Sequence, residues 1–533
     1  MVRKKEATKR FLLMFMFAVA LAAALWVAGC GGGSGSDSYD DPDADYLSGN
    51  SESSLIEVAT LRAWDANAGV LDDGLYVTDE GARVILVDAT DTAANMTKYY
   101  IGTGHIPGAL VNYSHEGGEA MIRNDGPIAE DHDVADGAAM DKLIQNLGIT
   151  KDAVVVITTS KMDAAAASPV LYDFCAARLF WTMKYWGFSS AKVKILNGFN
   201  GAWQAAGYPL VKTNPPTALP SSFSVRDLPG PNLHQRTTIG EMINLVDSGK
   251  ANKLDGDVII LDMRQPLAGF SDDEGCAQAI TSTGGSAFDG IIKGAVQIPT
   301  TSPITTFKIL DYVYAADGVT KLGVKYKSKE ALKAAFDAAG IDGTKPIVVY
   351  CNSGASATRY WYPLSEILGY DISLFDASMQ VWQTMAAFEP GDLTYVRYDS
   401  TSPNYLASNF FYWDAAAQMF RDASTDAPVV AGSIKAGGNL AGDSTWDTVT
   451  RSERVTFRPH PMVNSAATGQ TYNALGSTPT VPNVDIDWRP VKIYPSYRGA
   501  GSETKVDDAA YHKSAGANGP ATSTGGGAAG GGC

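Results

Sequence analysis

The chain has 533 residues, 45% of them hydrophobic, and a formal net charge of −16. That length exceeds one ordinary hydrophobic core, so two to four domains are expected. An acidic balance without a basic stripe argues against nucleic acid as a partner, and any anion site has to be built locally.

The N-terminus carries Arg3, Lys4, Lys5, Lys9 and Arg10, then an apolar run over residues 11–27 and the small residues Ala28-Gly29 before Cys30. A basic start, an apolar stretch and a small-residue end form the layout of an export signal. An uncleaved transmembrane anchor is the alternative, since the run is near the lower length for spanning. Val27-Ala28-Gly29-Cys30 resembles a bacterial lipobox, which makes residues 1–29 a lipoprotein signal peptide and Cys30 the lipidated residue. Gly31 in place of Asp after that cysteine resembles lipoproteins sent to the outer membrane. Residues 30–55 are rich in Gly, Ser and Asp and read as a flexible acidic tether. A calcium site from Asp40, Asp41, Asp43 and Asp45 is the alternative. Export places Cys175, Cys276, Cys351 and Cys533 where disulfides can form. Without a CxxC pair or CxxCH, zinc knuckles and c-type haem are not indicated, and no metal or cofactor is assigned.

Residues 56–213 alternate strands and helices. Val84-Ile85-Leu86-Val87 and Val154-Val155-Val156-Ile157 are buried strands, residues 171–186 a helix filled with aromatics and 198–207 a shorter one. Alternation of this kind predicts a parallel sheet covered on both faces. His105, in Gly104-His105-Ile106-Pro107-Gly108-Ala109, reads as a hydrogen-bonded turn histidine, with a ligand role as the alternative, and Cys175 as a buried structural thiol. Residues 214–236 carry Pro215, Pro216, Pro220, Pro229 and Pro231 and read as a linker. The pattern then repeats over 237–390: a helix at 238–247, a strand ending in Asp262-Met263-Arg264, a helix at 328–339, and strands around 347–350 and 373–376. Residues 269–285, which hold Cys276, and 300–326 are longer than simple loops.

The chemistry concentrates at Ile347-Val348-Val349-Tyr350-Cys351-Asn352-Ser353-Gly354-Ala355-Ser356-Ala357-Thr358. A buried strand runs into a tight loop and a helix, with a thiol at the first loop position. Gly354 permits the backbone to curl, and small neighbours keep the sulfur approachable. A helix N-terminus aimed at the loop stabilises an anion and favours thiolate, whose free thiol has a pKa of about 8.5. The alternative is an inert buried cysteine at a strand end.

This stretch resembles the active loop of the rhodanese sulfurtransferases, and the GHIPGA turn with Leu196-Asn197-Gly198 resembles their N-terminal module. The resemblance implies two rhodanese-like α/β modules, each a mainly parallel sheet flanked by helices. The first is catalytically silent because Thr158 stands where the cysteine would be. It implies that Cys351 carries a sulfane sulfur as a persulfide, within a loop formed by Asn352, Ser353, Gly354, Ala355, Ser356, Ala357 and Thr358. Asp262 and Arg264 brace that loop or face the anion, and Arg359 is the nearest cation along the chain, pointing into the cradle or along its helix. Neutral Asn352 and Ser353 are closer to the mercaptopyruvate-type loop than to the basic thiosulfate-type one. Pro363 should kink the helix after the loop. Cys276 is a resolving thiol or an unpaired loop cysteine.

The partners implied are a small anionic chalcogen donor and a thiol acceptor, with the membrane reached through lipid on Cys30. A non-catalytic scaffold in an envelope complex and handling of selenium or tellurium oxyanions are the competing functions. Residues 391–500, rich in Tyr, Trp, Asn, Ser and Pro, read as an irregular extension of short strands and loops, or a surface for an envelope protein. Residues 501–533, ending Gly-Gly-Gly-Cys533, read as a disordered Gly-rich tail.

Overall fold

The structure is a computed structural model that describes residues 53–65, 75–90, 96–113, 133–160, 173–264, 309–351, 353–378 and 502–514, with short segments elsewhere between 128 and 472. The lipobox, residues 30–52 of the tether, Asn352, Cys276 and Cys533 lie outside the described residues, whereas Leu55 at the tether's expected end belongs to a strand.

The first sheet is built from β1 (Leu55–Ile56), β2 (Tyr76–Val77), β3 (Arg83–Thr90), β4 (Leu110–Tyr113), β5 (Val154–Thr158) and β6 (Val193–Leu196). Its strand order is β1-β6-β5-β3-β2, with β4 also pairing β3, and every pairing is parallel except β2 with β3. The apolar runs of β3 and β5 are buried, as parallel strands covered on both faces have to be. Helices α1 (Val58–Ala63), α2 (Gly137–Asn146) and α3 (Asp173–Tyr185) lie between the strands in sequence, and α4 (Phe199–Ala205) follows β6. Helix α3 is buried all round, including Cys175, Phe180 and Trp181, which is the condition of a core helix.

Further along come α5 (Ile239–Asp247), β7 (Ile259–Asp262), β8 (Ala295–Gln297), β9 (Leu310–Tyr314), β10 (Lys321–Tyr326), α6 (Lys329–Ala338), β11 (Ile347–Tyr350), α7 (Thr358–Tyr362) and β12 (Ile372–Leu374). Strands β8-β7-β11-β12 form a second sheet, parallel throughout. Thr238 and Ser328 cap α5 and α6 with their hydroxyls, Thr238 in a reciprocal box with Glu241. The helix after the loop changes at Pro363, where a kink was expected: α7 stops at Tyr362 and Pro363–Ile367 continues as a wider π-helical turn.

The registers of the two sheets run alike. Asp88 pairs with Thr158 as Asp262 pairs with Tyr350. Counting onward, Phe199 and Ser378 fall at matching places after β6 and β12, and both hold positive φ, 52° and 50°. Counting back, Glu57 and Thr238 are matching N-caps. This register puts Thr159, not Thr158, in the place of Cys351, one residue later than expected from the sequence.

Part of the segment over 300–326, read as longer than a simple loop, forms the antiparallel hairpin β9–β10, which packs on α4. Part of the segment read as a disordered tail forms helix α8 (Ser502–Lys513). Its side chains reach far along the chain: Lys505 to Glu241, Asp508 to Tyr185, Tyr511 to Asp141. Between 391 and 500 short strands are described, among them the pairs Phe411–Asp414 with Met419–Asp422 and Met462–Asn464 with Gln470–Tyr472.

Candidate active site

Cys351 follows β11, the strand flanked by β7 and β12, so it stands at the C-terminal edge of a parallel sheet, where open α/β folds place ligands. Its thiol is free of any disulfide, and the residue is 4% exposed. The Gly354 N–H donates to Cys351 Sγ at 3.1 Å. An amide directed at sulfur stabilises negative charge there, since hydrogen bonds to an ionised acceptor are the stronger kind. The Cys351 N–H donates to Ser378 Oγ at 3.1 Å, and that hydroxyl donates to the Phe375 carbonyl at 2.8 Å.

Gly354 holds φ +79°, and a Cβ there would run into the Asp376 carbonyl oxygen. The position therefore admits glycine alone without displacing the strand end below it. Its carbonyl accepts from Arg178 Nη1 at 3.3 Å. Ser353, Ala355, Ala357 and Thr358 are buried, and Ser356 is half-buried. The Thr358 hydroxyl lies 2.6 Å from the Ala355 carbonyl and 3.3 Å from that of Phe174, closing the loop onto α3.

Asp262 and Arg264 are together but act on each other. Arg264 donates from Nε and Nη2 to Asp262, at 3.0 and 2.7 Å, and its own backbone N–H caps the same carboxylate at 3.0 Å. Both residues are buried, so this is an internal pair and not a surface one. The Tyr350 hydroxyl donates to Asp262 at 2.8 Å and accepts from the Ile292 N–H at 3.1 Å. The pair thus braces the residue just before Cys351. Arg359 is corrected more fully. Its Nε and Nη2 grip Asp173 at 2.7 and 2.6 Å, so it fastens α7 to the start of α3.

Sequence reasoning missed Arg178, Arg236 and Ser378. Arg236 Nε donates to Asp376 at 2.7 Å, Nη2 lies 3.2 Å from Asp133, and Nη1 donates to Thr504 of α8 at 2.7 Å. Asp376 also accepts the Val134 N–H at 3.0 Å. The available signal was a charged residue inside an apolar stretch: Arg178 sits among Phe174, Leu179, Phe180 and Trp181.

In the first sheet the matching edge is hydroxyl-lined. Thr158 donates to Asn200 at 2.8 Å, and Asp88 accepts from Ser160 and Asn200. Burial pushes the Asp88 carboxyl up to about 6 against the hydrogen bonds it accepts. His105 fulfils the turn reading: Nδ1 donates to the Tyr100 carbonyl at 3.0 Å, its ring stacks on Tyr100, and burial lowers its pKa. Among the described residues no group of three or more His, Cys, Asp or Glu side chains is placed to hold a metal ion.

A thiol at a strand end, an amide on its sulfur and a glycine-permitted loop make up the candidate site. Residues 245–385 match the rhodanese-like domain, a span that includes Asp262, Arg264 and the Cys351 loop. The chain is 27% identical over 290 residues to the sulfur carrier protein TtuD of Thermus thermophilus, covering 52% of this chain and 82% of that protein. A putative thiosulfate sulfurtransferase of Saccharopolyspora erythraea is 24% identical over 279 residues, covering 52% of this chain and 80% of that one. Among solved structures, YnjE aligns with TM-score 0.42 and 16% identity over 63% of this chain and 66% of that one. An anaerobic ergothioneine biosynthesis enzyme from Chlorobium limicola aligns with TM-score 0.39 and 18% identity, over 57% of this chain and 63% of that one. The chain spans less than two thirds of the length of these two structures. The candidate site thus lies within the span that matches the rhodanese-like domain, and the relatives are named for sulfur transfer.

Proposed function

We propose that this protein is a sulfurtransferase of the rhodanese type in which Cys351 carries the sulfur. The thiolate attacks the outer sulfur of thiosulfate, the S–S bond breaks, and sulfite leaves with the bonding pair. An acceptor such as cyanide then takes the sulfane sulfur from the persulfide and restores the thiolate. A mercaptopyruvate-type donor is the alternative source, in keeping with the neutral loop. The observation that carries the reading is the Gly354 N–H on the Cys351 sulfur at the end of the inner strand β11. The like registers of the two sheets support a duplicated module, the first silent because Thr159 replaces the thiol. The lipobox ending in Cys30 supports export and an outer-membrane lipid anchor.

The test is intact-mass measurement of the full chain after exposure to thiosulfate, 3-mercaptopyruvate or selenite, with thiocyanate production followed when cyanide is added. One added sulfur, located to Cys351, and thiocyanate output abolished in Cys351→Ser are expected. Equal output from that variant removes the assignment, and uptake from selenite alone moves it to selenium chemistry. The low exposure of Cys351 favours one second reading, a non-catalytic scaffold. Under that reading no donor adds mass.

A further inference from the structure

Helix α3 belongs to the half without a reactive thiol, yet it grips the loop of the other half at several points. Asp173 holds Arg359, the Phe174 carbonyl lies against the Thr358 hydroxyl, and Arg178 donates to the Gly354 carbonyl. We infer that Arg178 is a positioning residue for Cys351: it anchors the Gly354 carbonyl so that the Gly354 N–H stays on the sulfur. The inference rests on the reading of Cys351 as the working nucleophile.

Arg178 is 0% exposed, and its guanidinium lies 4.6 Å from the Trp181 ring centroid. Burying a charged group costs several kcal/mol, and an apolar side chain of like volume fills such a space without that cost. The guanidinium therefore supplies something methionine lacks, and the Gly354 carbonyl is where its Nη1 goes. Gly354 has the loosest backbone in the loop, because it lacks the Cβ that confines other residues. Its N–H points to sulfur only while its two peptide planes are held. The Asp376 carbonyl closes one side of it and Arg178 anchors the other. Ser378 holds the Cys351 backbone separately. The other charged groups about the loop are paired: Asp376 with Arg236, Arg359 with Asp173, and Asp262 with Arg264.

The test compares the wild-type full chain with Arg178→Met and Arg178→Lys. The readout is the pH dependence of iodoacetamide alkylation at Cys351, followed by peptide mass spectrometry, with thermal unfolding measured alongside. Loss of one hydrogen bond to the ionised sulfur is expected to raise the alkylation midpoint by about one pH unit in Arg178→Met. Arg178→Lys, with a charge but no planar fork, is expected to fall between it and the wild type. A melting temperature that drops while both variants keep the wild-type midpoint would show that Arg178 only packs α3 and would overturn the inference. If Arg178→Met does not fold, the lysine variant decides alone, and an unshifted midpoint overturns the inference equally. Alkylation needs no sulfur donor. A shifted midpoint in a protein that takes up no sulfur leaves the positioning role standing and removes the sulfurtransferase reading.

Discussion

At the scale of single residues, the candidate site depends on groups whose alternatives are sterically or electrostatically costly. Gly354→Ala puts a Cβ against the Asp376 carbonyl at a left-handed backbone position. The backbone term alone costs about 1–2 kcal/mol. Urea unfolding should show at least that loss, and Cys351 alkylation should slow because the amide swings away from sulfur. The Arg236–Asp376 pair is wholly buried. Breaking such a pair costs about 3–5 kcal/mol. For Asp376→Ala the lower end is expected, since Asp133 still faces Arg236. The Ala variant should also lose Cys351 reactivity, because Ser378, two residues on, holds the Cys351 amide. Unchanged alkylation in a destabilised Asp376→Ala protein would separate the ion pair from the site.

At the scale of elements, α8 and α3 link segments that the chain separates widely. Helix α8 has charged and polar residues around it, and its hold comes from directed contacts, not from an apolar stripe. The Tyr511 hydroxyl donates to Asp141 at 2.6 Å, beneath the Arg226 guanidinium. Tyr511→Phe is expected to cost about 1 kcal/mol, the usual net worth of a hydrogen bond. The loss is modest because Asp141 keeps the Ser224 hydroxyl and Val225 amide as donors. Removal of residues 502–533 should cost more, since Thr504 leaves Arg236 and Lys505 leaves Glu241. Differential scanning calorimetry of the two variants checks the order, and a truncated chain as stable as the full one would show α8 to be passive.

At the scale of the whole molecule, the two sheets share a register but differ in what their edges contain. The first buries Asp88, raised to about 6 from 3.8 by desolvation. A carboxyl whose folded pKa lies above its unfolded value favours the folded state most when protonated. Its contribution is complete below about 4 and is lost as pH rises through about 6. Relative to Asp88→Asn, the wild type should therefore gain up to about 3 kcal/mol as pH falls from 7 to 4. Urea midpoints across that range check it. A gap that widens on acidification instead would mean that Asp88 is held ionised by its donors.

The sequence alone determined what neighbours along the chain can enforce. Buried β-branched strands, the helices beginning near Thr238 and Ser328, the break at Pro363 and the cysteine-glycine loop are all short-range, so periodicity and steric rules reach them. Contacts that join distant segments were beyond it. Arg359, left between the cradle and its own helix, turns to Asp173, residues 502–513 were read as tail but dock as a helix, and the thiol's counterpart lies at Thr159 only once the strands are paired. Tertiary structure decided which charges meet the Cys351 loop. A buried guanidinium takes whatever acceptor the packing brings within reach, and no local rule names a partner more than a hundred residues away.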